Sequence, residues 1–142
     1  EVINTTKIDP SLLDLEITES MLMKKVDQTI AVLNTLADFG VNISVDDFGT
    51  EYSSLGYIKH LPINQIKIPK IFIDGIERNK SDESIIISTI HMAKELGLET
   101  VAEGVENESQ VKLLEKESCD FIQGYYFHKP MNVAGIENLI NS

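Results

Sequence analysis

Two adjacent aspartates, Asp46 and Asp47, follow a run in which Val41, Ile43 and Val45 alternate with Asn42 and Ser44. Carboxylates side by side at the end of a strand repel each other unless cations lie between them. Oxygen donors of this kind suit hard divalent ions such as Mg²⁺ or Mn²⁺, and the sequence has no Cys/His cluster pointing to zinc. Two such ions about 3.5–4 Å apart can clamp a phosphodiester and generate hydroxide between them. A lysine near that water, Lys67, would hold it and stabilise its deprotonated form. Glu103 is placed to accept a proton, as a general base must be. His60, His91 and His128 share no metal-ligand spacing, and His91 falls on an expected helix as a surface or boundary residue.

The elements that would position these groups alternate along the chain. The pattern predicts strands over 12–17, 41–45, 65–68, 98–102 and 121–124. Between them, Val26, Ile30, Leu33 and Ala37 share one helical face, with Gly40 as a stop. A short helix is expected from Ser53 to His60, closed by Leu61-Pro62. Ser81 is the expected cap of a long helix carrying Ile86, Ile90 and Ala93, ended by Gly97. Asn107 and Gln110 resemble a capping box ahead of Val111 and Leu114, and a last helix spans about Val133 to Ile140.

About five consecutive β-α units place the chain in the α/β class. An open doubly wound sheet and a TIM-like (β/α)8 barrel compete. A complete barrel needs about 250 residues, so 142 residues supply roughly five of its eight units. The strand ends carry Glu16 and Glu19, Asp46 and Asp47, Lys67, Glu103 and Glu106, and Gln123. A barrel converges all its strand C-termini on the face where its active sites are built, whereas an open sheet concentrates function at one switch point. Polar groups at every end therefore favour the partial barrel. Each carboxylate alone is as well explained as a helix cap or a solvated turn residue; Glu106 could simply favour the start of the next helix. The succession, with a lysine among them, is what those explanations miss.

Bulk properties narrow the classes. A formal net charge of −11, from 23 acidic and 12 basic residues, repels a DNA or RNA polymer, and no basic cluster offsets it. No run approaches the roughly 18–20 apolar residues of a membrane span. The start, EVINTTKID, has neither the basic nor the apolar region of a signal peptide, and its lack of Met suggests an excerpt. The lone Cys119 excludes an internal disulfide framework and fits a reducing cytoplasm, as a small buried hydrophobe beside Phe121 and Ile122.

These residues resemble the EAL domain family, the cyclic di-GMP-specific phosphodiesterases. Leu15-Glu16-Ile17-Thr18-Glu19-Ser20 is similar to the family's E-L/I-T-E segment, and Asp46-Asp47-Phe48-Gly49-Thr50-Glu51-Tyr52-Ser53-Ser54-Leu55 to its DDFGTGYSSL signature. Leu61 to Ile68 resembles LPIDxLKID; Ala102-Glu103-Gly104-Val105-Glu106 reproduces AEGVE; Gln123-Gly124-Tyr125-Tyr126-Phe127 follows QGY-x-F. The matches run in order over nearly the whole chain and imply the last five β-α units of the barrel, with residues 1–142 expected to form the C-terminal part of a single EAL domain.

The resemblance implies two-metal hydrolysis of cyclic di-GMP to linear pGpG, in a bacterial cytoplasm. Glu16 and Asp46 would bind one Mg²⁺ or Mn²⁺, and Asp46 and Asp47 the second. Lys67 would contact the attacking water, with Glu103 as general base or organiser of the metals. Gln123 would sit near the water and the substrate phosphate. Glu19, with Glu106 in a similar supporting part, would stabilise loops, Glu19 anchoring Phe48 to Ser54. A homodimer and an N-terminal sensory or GGDEF domain are the implied partners, and a membrane anchor could lie in other regions of the protein.

Two positions depart from the family. Glu51 stands where the signature has glycine, and Pro69 where an aspartate follows Lys67-Ile68, removing a carboxylate and an N–H donor. The namesake E-A-L motif and a metal-binding asparagine, which the family carries on earlier strands, do not occur here. The 142-residue chain alone is therefore expected to be inactive, and to pair with another chain or to have had its remainder removed or left out. The alternative is a degenerate EAL domain that binds cyclic di-GMP or a partner protein without turnover. A third reading, a barrel enzyme acting on enolisable acids, is opposed by the signature loop.

Overall fold

The computed structural model describes residues 2–24, 26–50 and 55–141. In chain order these form α1 (Val2–Thr6), β1 (Asp14–Thr18), α2 (Glu19–Lys24), α3 (Val26–Asp38), β2 (Asn42–Asp46) and α4 (Leu55–Ile58). There follow β3 (Gln65–Ile68), α5 (Lys70–Ile73), α6 (Lys80–Glu95), β4 (Glu99–Glu103), α7 (Glu108–Lys116), β5 (Phe121–Gln123) and α8 (Val133–Ile140). The five strands make one parallel sheet in the order β1-β2-β3-β4-β5, each paired with its sequence neighbour. That order is what short right-handed β-α-β crossovers produce when every unit is laid beside the last.

Strand alternation separates two faces. Ile17, Ile43, Val45 and Ile66 pack with Leu33 of α3 and Ala93 of α6 in one buried cluster. Ile68 and Ala102 join Ile86, Ile90, Val111 and Leu114 in a second. The intervening residues Glu16, Ser44, Asp46, Lys67 and Glu103 therefore face away from the helices. All of the strongly polar strand residues of the centre share that other face.

Several boundaries differ from the sequence reading. The first strand begins at Asp14, because Asp9 accepts from the Ser11 N–H and Pro10 opens a 3₁₀ turn that takes up Leu12. Glu19 and Ser20 begin a helix rather than close a strand. The cap of α6 is Asn79, not Ser81: its side chain accepts from the Ser81 N–H, 3.0 Å away. The capping box of Asn107 and Gln110 is present as read, and α8 spans Val133–Ile140 as read. Of the helix expected over Ser53–His60, the described part is helical over Leu55–Ile58; Glu51, Tyr52, Ser53 and Ser54 lie outside the described residues. Cys119 is partly buried, and burial pushes its thiol pKa up. His91 is well exposed, 3.6 Å from Glu117.

Candidate active site

Lys67 is the hub of the polar face. Its alternation within β3 sends Ile66 and Ile68 to the helices and the lysine to the opposite side, where its side chain is 8% exposed. There Nζ lies 2.6 Å from Glu16 Oε1, 2.7 Å from Glu103 Oε1 and 3.8 Å from Asp46 Oδ1. Four adjacent strands each contribute one of these groups. Burial works against the ammonium, but the hydrogen bonds with Glu103 and Glu16 and the charges of Glu103 and Asp46 outweigh it. The lysine pKa is raised above its ordinary value, so the side chain is a fixed cation.

The turn after β2 is shaped around the same point. Asp46 Oδ1 also accepts from the Asp47 N–H at 2.9 Å. Asp47 adopts a left-handed backbone (φ 53°), a conformation that aspartate tolerates better than most residues, and its side chain is exposed. Its carbonyl accepts from the Thr50 hydroxyl at 2.8 Å, closing the turn. The Phe48 N–H donates to the Lys67 carbonyl (3.3 Å), and the Gly49 N–H to the buried Glu19 carboxylate (3.1 Å). Glu19 therefore ties the start of α2 to the described part of the signature loop.

A second ionic cluster adjoins the first, around Lys70, a residue that the sequence reading missed. Lys70 Nζ lies 2.6 Å from Glu106 and 3.1 Å from Asp74, with the Gly104 carbonyl at 3.4 Å. The Glu106 hydrogen bond is the main reason that its pKa is raised. The lysine stem covers Gly104 (φ 70°) so closely that a Cβ there would come within 2.5 Å of it. Glycine is required at that turn for its backbone and for its missing side chain. The AEGVE pattern marked the glycine; its partner lies 34 residues away and carries no local signal. Pro69 lies between the two lysines in an extended conformation, with no side-chain bond capping α5.

Gln123 pairs in register with Glu103, so both point to the polar face, yet it stands apart from the Lys67 contacts. It lines a cleft of about 530 Å³ with Lys70, Glu106, Tyr125, His128 and Ile136. Among the described residues, no three His, Cys, Asp or Glu groups already converge on one point that would hold a metal ion. The Lys67 ammonium stands between Glu16 and Glu103, 2.6 and 2.7 Å from their carboxylates. The chemistry of the donor set nonetheless fits a hard divalent ion, since Glu16, Asp46, Asp47 and Glu103 offer only carboxylate oxygens.

Residues 1–130 match the EAL domain family. The chain belongs to that family. It is 42% identical over 130 residues to the cyclic di-GMP phosphodiesterase NbdA of Pseudomonas aeruginosa, covering 92% of this chain and 17% of that protein. The solved structure of the MucR phosphodiesterase in complex with c-di-GMP, also a P. aeruginosa protein, superposes with a TM-score of 0.91 at 38% identity, over 94% of this chain and 54% of that one. BlrP1 of Klebsiella pneumoniae, solved with manganese and cyclic di-GMP, superposes at 0.80 with 27% identity, over 87% of this chain and 32% of that one. The chain spans less than a fifth of the length of NbdA. As an EAL domain chain it has a TIM-like barrel architecture, here an α/β arrangement of five parallel strands. No helix among the described residues is long and apolar enough to cross a membrane.

Proposed function

We propose that this chain belongs to a cyclic di-GMP phosphodiesterase, which opens the cyclic dinucleotide to linear pGpG. The observation that carries the reading is the joining of Glu16, Asp46 and Glu103 by Lys67 across four strands. Glu16, Asp46 and Asp47 would hold two divalent ions, Mg²⁺ or Mn²⁺, with Asp46 shared. Those ions would supply Lewis acidity and an acidified water. The chain's own groups do the rest. The Lys67 ammonium orients the water and favours its deprotonated form, and Glu103 accepts the proton. Water oxygen bonds to phosphorus as one ester P–O bond breaks, and the proton goes to the leaving 3′ oxygen. Gln123 donates its amide to a phosphate oxygen, Glu19 keeps the loop from Phe48 in place, and Glu106 steadies the adjoining turn through Lys70.

On this reading residues 1–142 are the C-terminal part of one EAL domain, closed into a barrel by strands from elsewhere in the protein. The domain works as a homodimer in the bacterial cytoplasm, under an N-terminal sensory or GGDEF domain, whether or not other regions anchor the protein to a membrane. A second reading, a receptor without turnover, draws on Pro69, which offers no carboxylate where the family has one.

The test is conversion of cyclic di-GMP to pGpG by the barrel-length protein with Mg²⁺ or Mn²⁺, beside Asp46→Ala and the 142-residue chain. Metal-dependent turnover is expected in the first alone. Binding without turnover in the barrel-length protein would make it a receptor.

A further inference from the structure

Three acidic groups compete for one ammonium in this site, and a divalent cation would have to enter the same contest. We propose that Lys67 is an internal competitor of that cation for Glu16, so that loading the site opens the Lys67–Glu16 pair and frees one lysine N–H for the attacking water. The inference rests on the phosphodiesterase reading and adds to it a positioning role that lowers metal affinity.

The geometry assigns the parts. The Nζ–Oε1 distance of 2.6 Å to Glu16 leaves no room for a cation between the two groups. The Lys67 side chain is 8% exposed whereas that of Glu16 is 53% exposed, so the lysine is held and the glutamate is the partner able to turn away. Glu103, 22% exposed and 2.7 Å from Nζ, keeps the lysine in place after Glu16 leaves. Asp46, at 3.8 Å, is near enough to be shared with a cation without being tightly bound by the lysine. An ammonium has three donors; with one on Glu103 and one released by Glu16, it can hold a water without moving its stem. A fixed positive charge beside a dication also repels it directly, the more so out of bulk solvent.

Calorimetric titration of the barrel-length protein with MnCl₂, beside Lys67→Met, reads the competition. The methionine variant is expected to bind Mn²⁺ at least about tenfold more tightly, from loss of a like charge and of the competing pair. Equal or weaker affinity in a variant that still melts cooperatively would overturn the proposal. If the variant does not fold, the ¹⁵Nζ signal of Lys67 in the unaltered protein answers instead. It should shift on Mg²⁺ addition, and its ammonium protons should exchange faster with water. A signal that stays put while the Asp47 amide responds would sink the competition and leave the phosphodiesterase reading intact. Absence of any metal binding would remove both.

Discussion

Lys67 and Lys70 follow one another across Pro69, and each holds two carboxylates at 3.1 Å or less, yet the two clusters differ in kind. Lys67 sits on a central strand between neighbours on both sides, its side chain 8% exposed. Lys70 begins a four-residue helix at the rim, its side chain 46% exposed. An exposed pair gains little because water and salt screen it, whereas a cation held out of water is stabilised almost wholly by its protein partners. Strand position, rather than the number of acidic partners, separates the buried ionic hub around Lys67 from the exposed clasp around Lys70.

The largest effect is expected at Lys67. Replacing it by methionine leaves Glu16, Asp46 and Glu103 facing one another, and should cost about 2 kcal/mol in denaturant unfolding, less than a fully buried pair because the carboxylates keep some solvent. In the barrel-length protein the same change should lower kcat about a hundredfold, the scale of losing one preorganised charge. A stability loss no greater than that at Lys70 would break the comparison.

Glu19→Ala should cost about 1–2 kcal/mol, because it leaves the Gly49 N–H without its acceptor. Hydrogen exchange at the Gly49 amide should accelerate accordingly. Glu19→Gln, which keeps an acceptor oxygen, should restore most of the protection; if it does not, charge rather than hydrogen bonding holds the loop.

Lys70→Met should cost under about 1 kcal/mol, with a difference from the unaltered protein that shrinks in high salt. Both lysines have folded-state pKa values raised above the unfolded one. Their contributions are thus fully present below the unfolded lysine value of about 10.4 and are lost as pH rises through the folded values. Melting curves at neutral and strongly alkaline pH should therefore show the difference between Lys67→Met and the unaltered protein narrowing only at the alkaline end.

The smallest effect is expected at Cys119, which belongs to neither cluster. Its raised thiol pKa keeps it protonated at neutral pH, so iodoacetamide should alkylate it at least about tenfold more slowly in the folded than in the unfolded chain. The stability linked to this group likewise falls as pH rises through the thiol range. Equal alkylation rates would show that burial does not govern this thiol.

Much of the frame was legible in the residues. Alternation around Ile66, Lys67 and Ile68 marks β3 with its observed ends, and Asn107 with Gln110 marks the start of α7, because both signals are local. The four-residue α5 went unread, since Lys70 to Ile73 is too short to show a helical period. Asn79 caps α6 in place of the expected Ser81, because the cap is whichever side chain meets the free N–H groups, and that depends on where the turn before the helix ends. Glu51 lies outside the described residues, so the effect of that departure belongs to the activity test.

The sequence by itself determined the order of the five strands, the longer helices between them, the face of β2 shared by Asn42, Ser44 and Asp46, and the resemblance to the EAL family, since periodicity and contiguous motifs are local properties of a chain. Only the tertiary structure decided that Lys67 meets Glu16, 51 residues away, and that Lys70 clasps Glu106 over Gly104. Those pairings depend on strand register and on side-chain reach between neighbouring strands, which exist only once the sheet has formed.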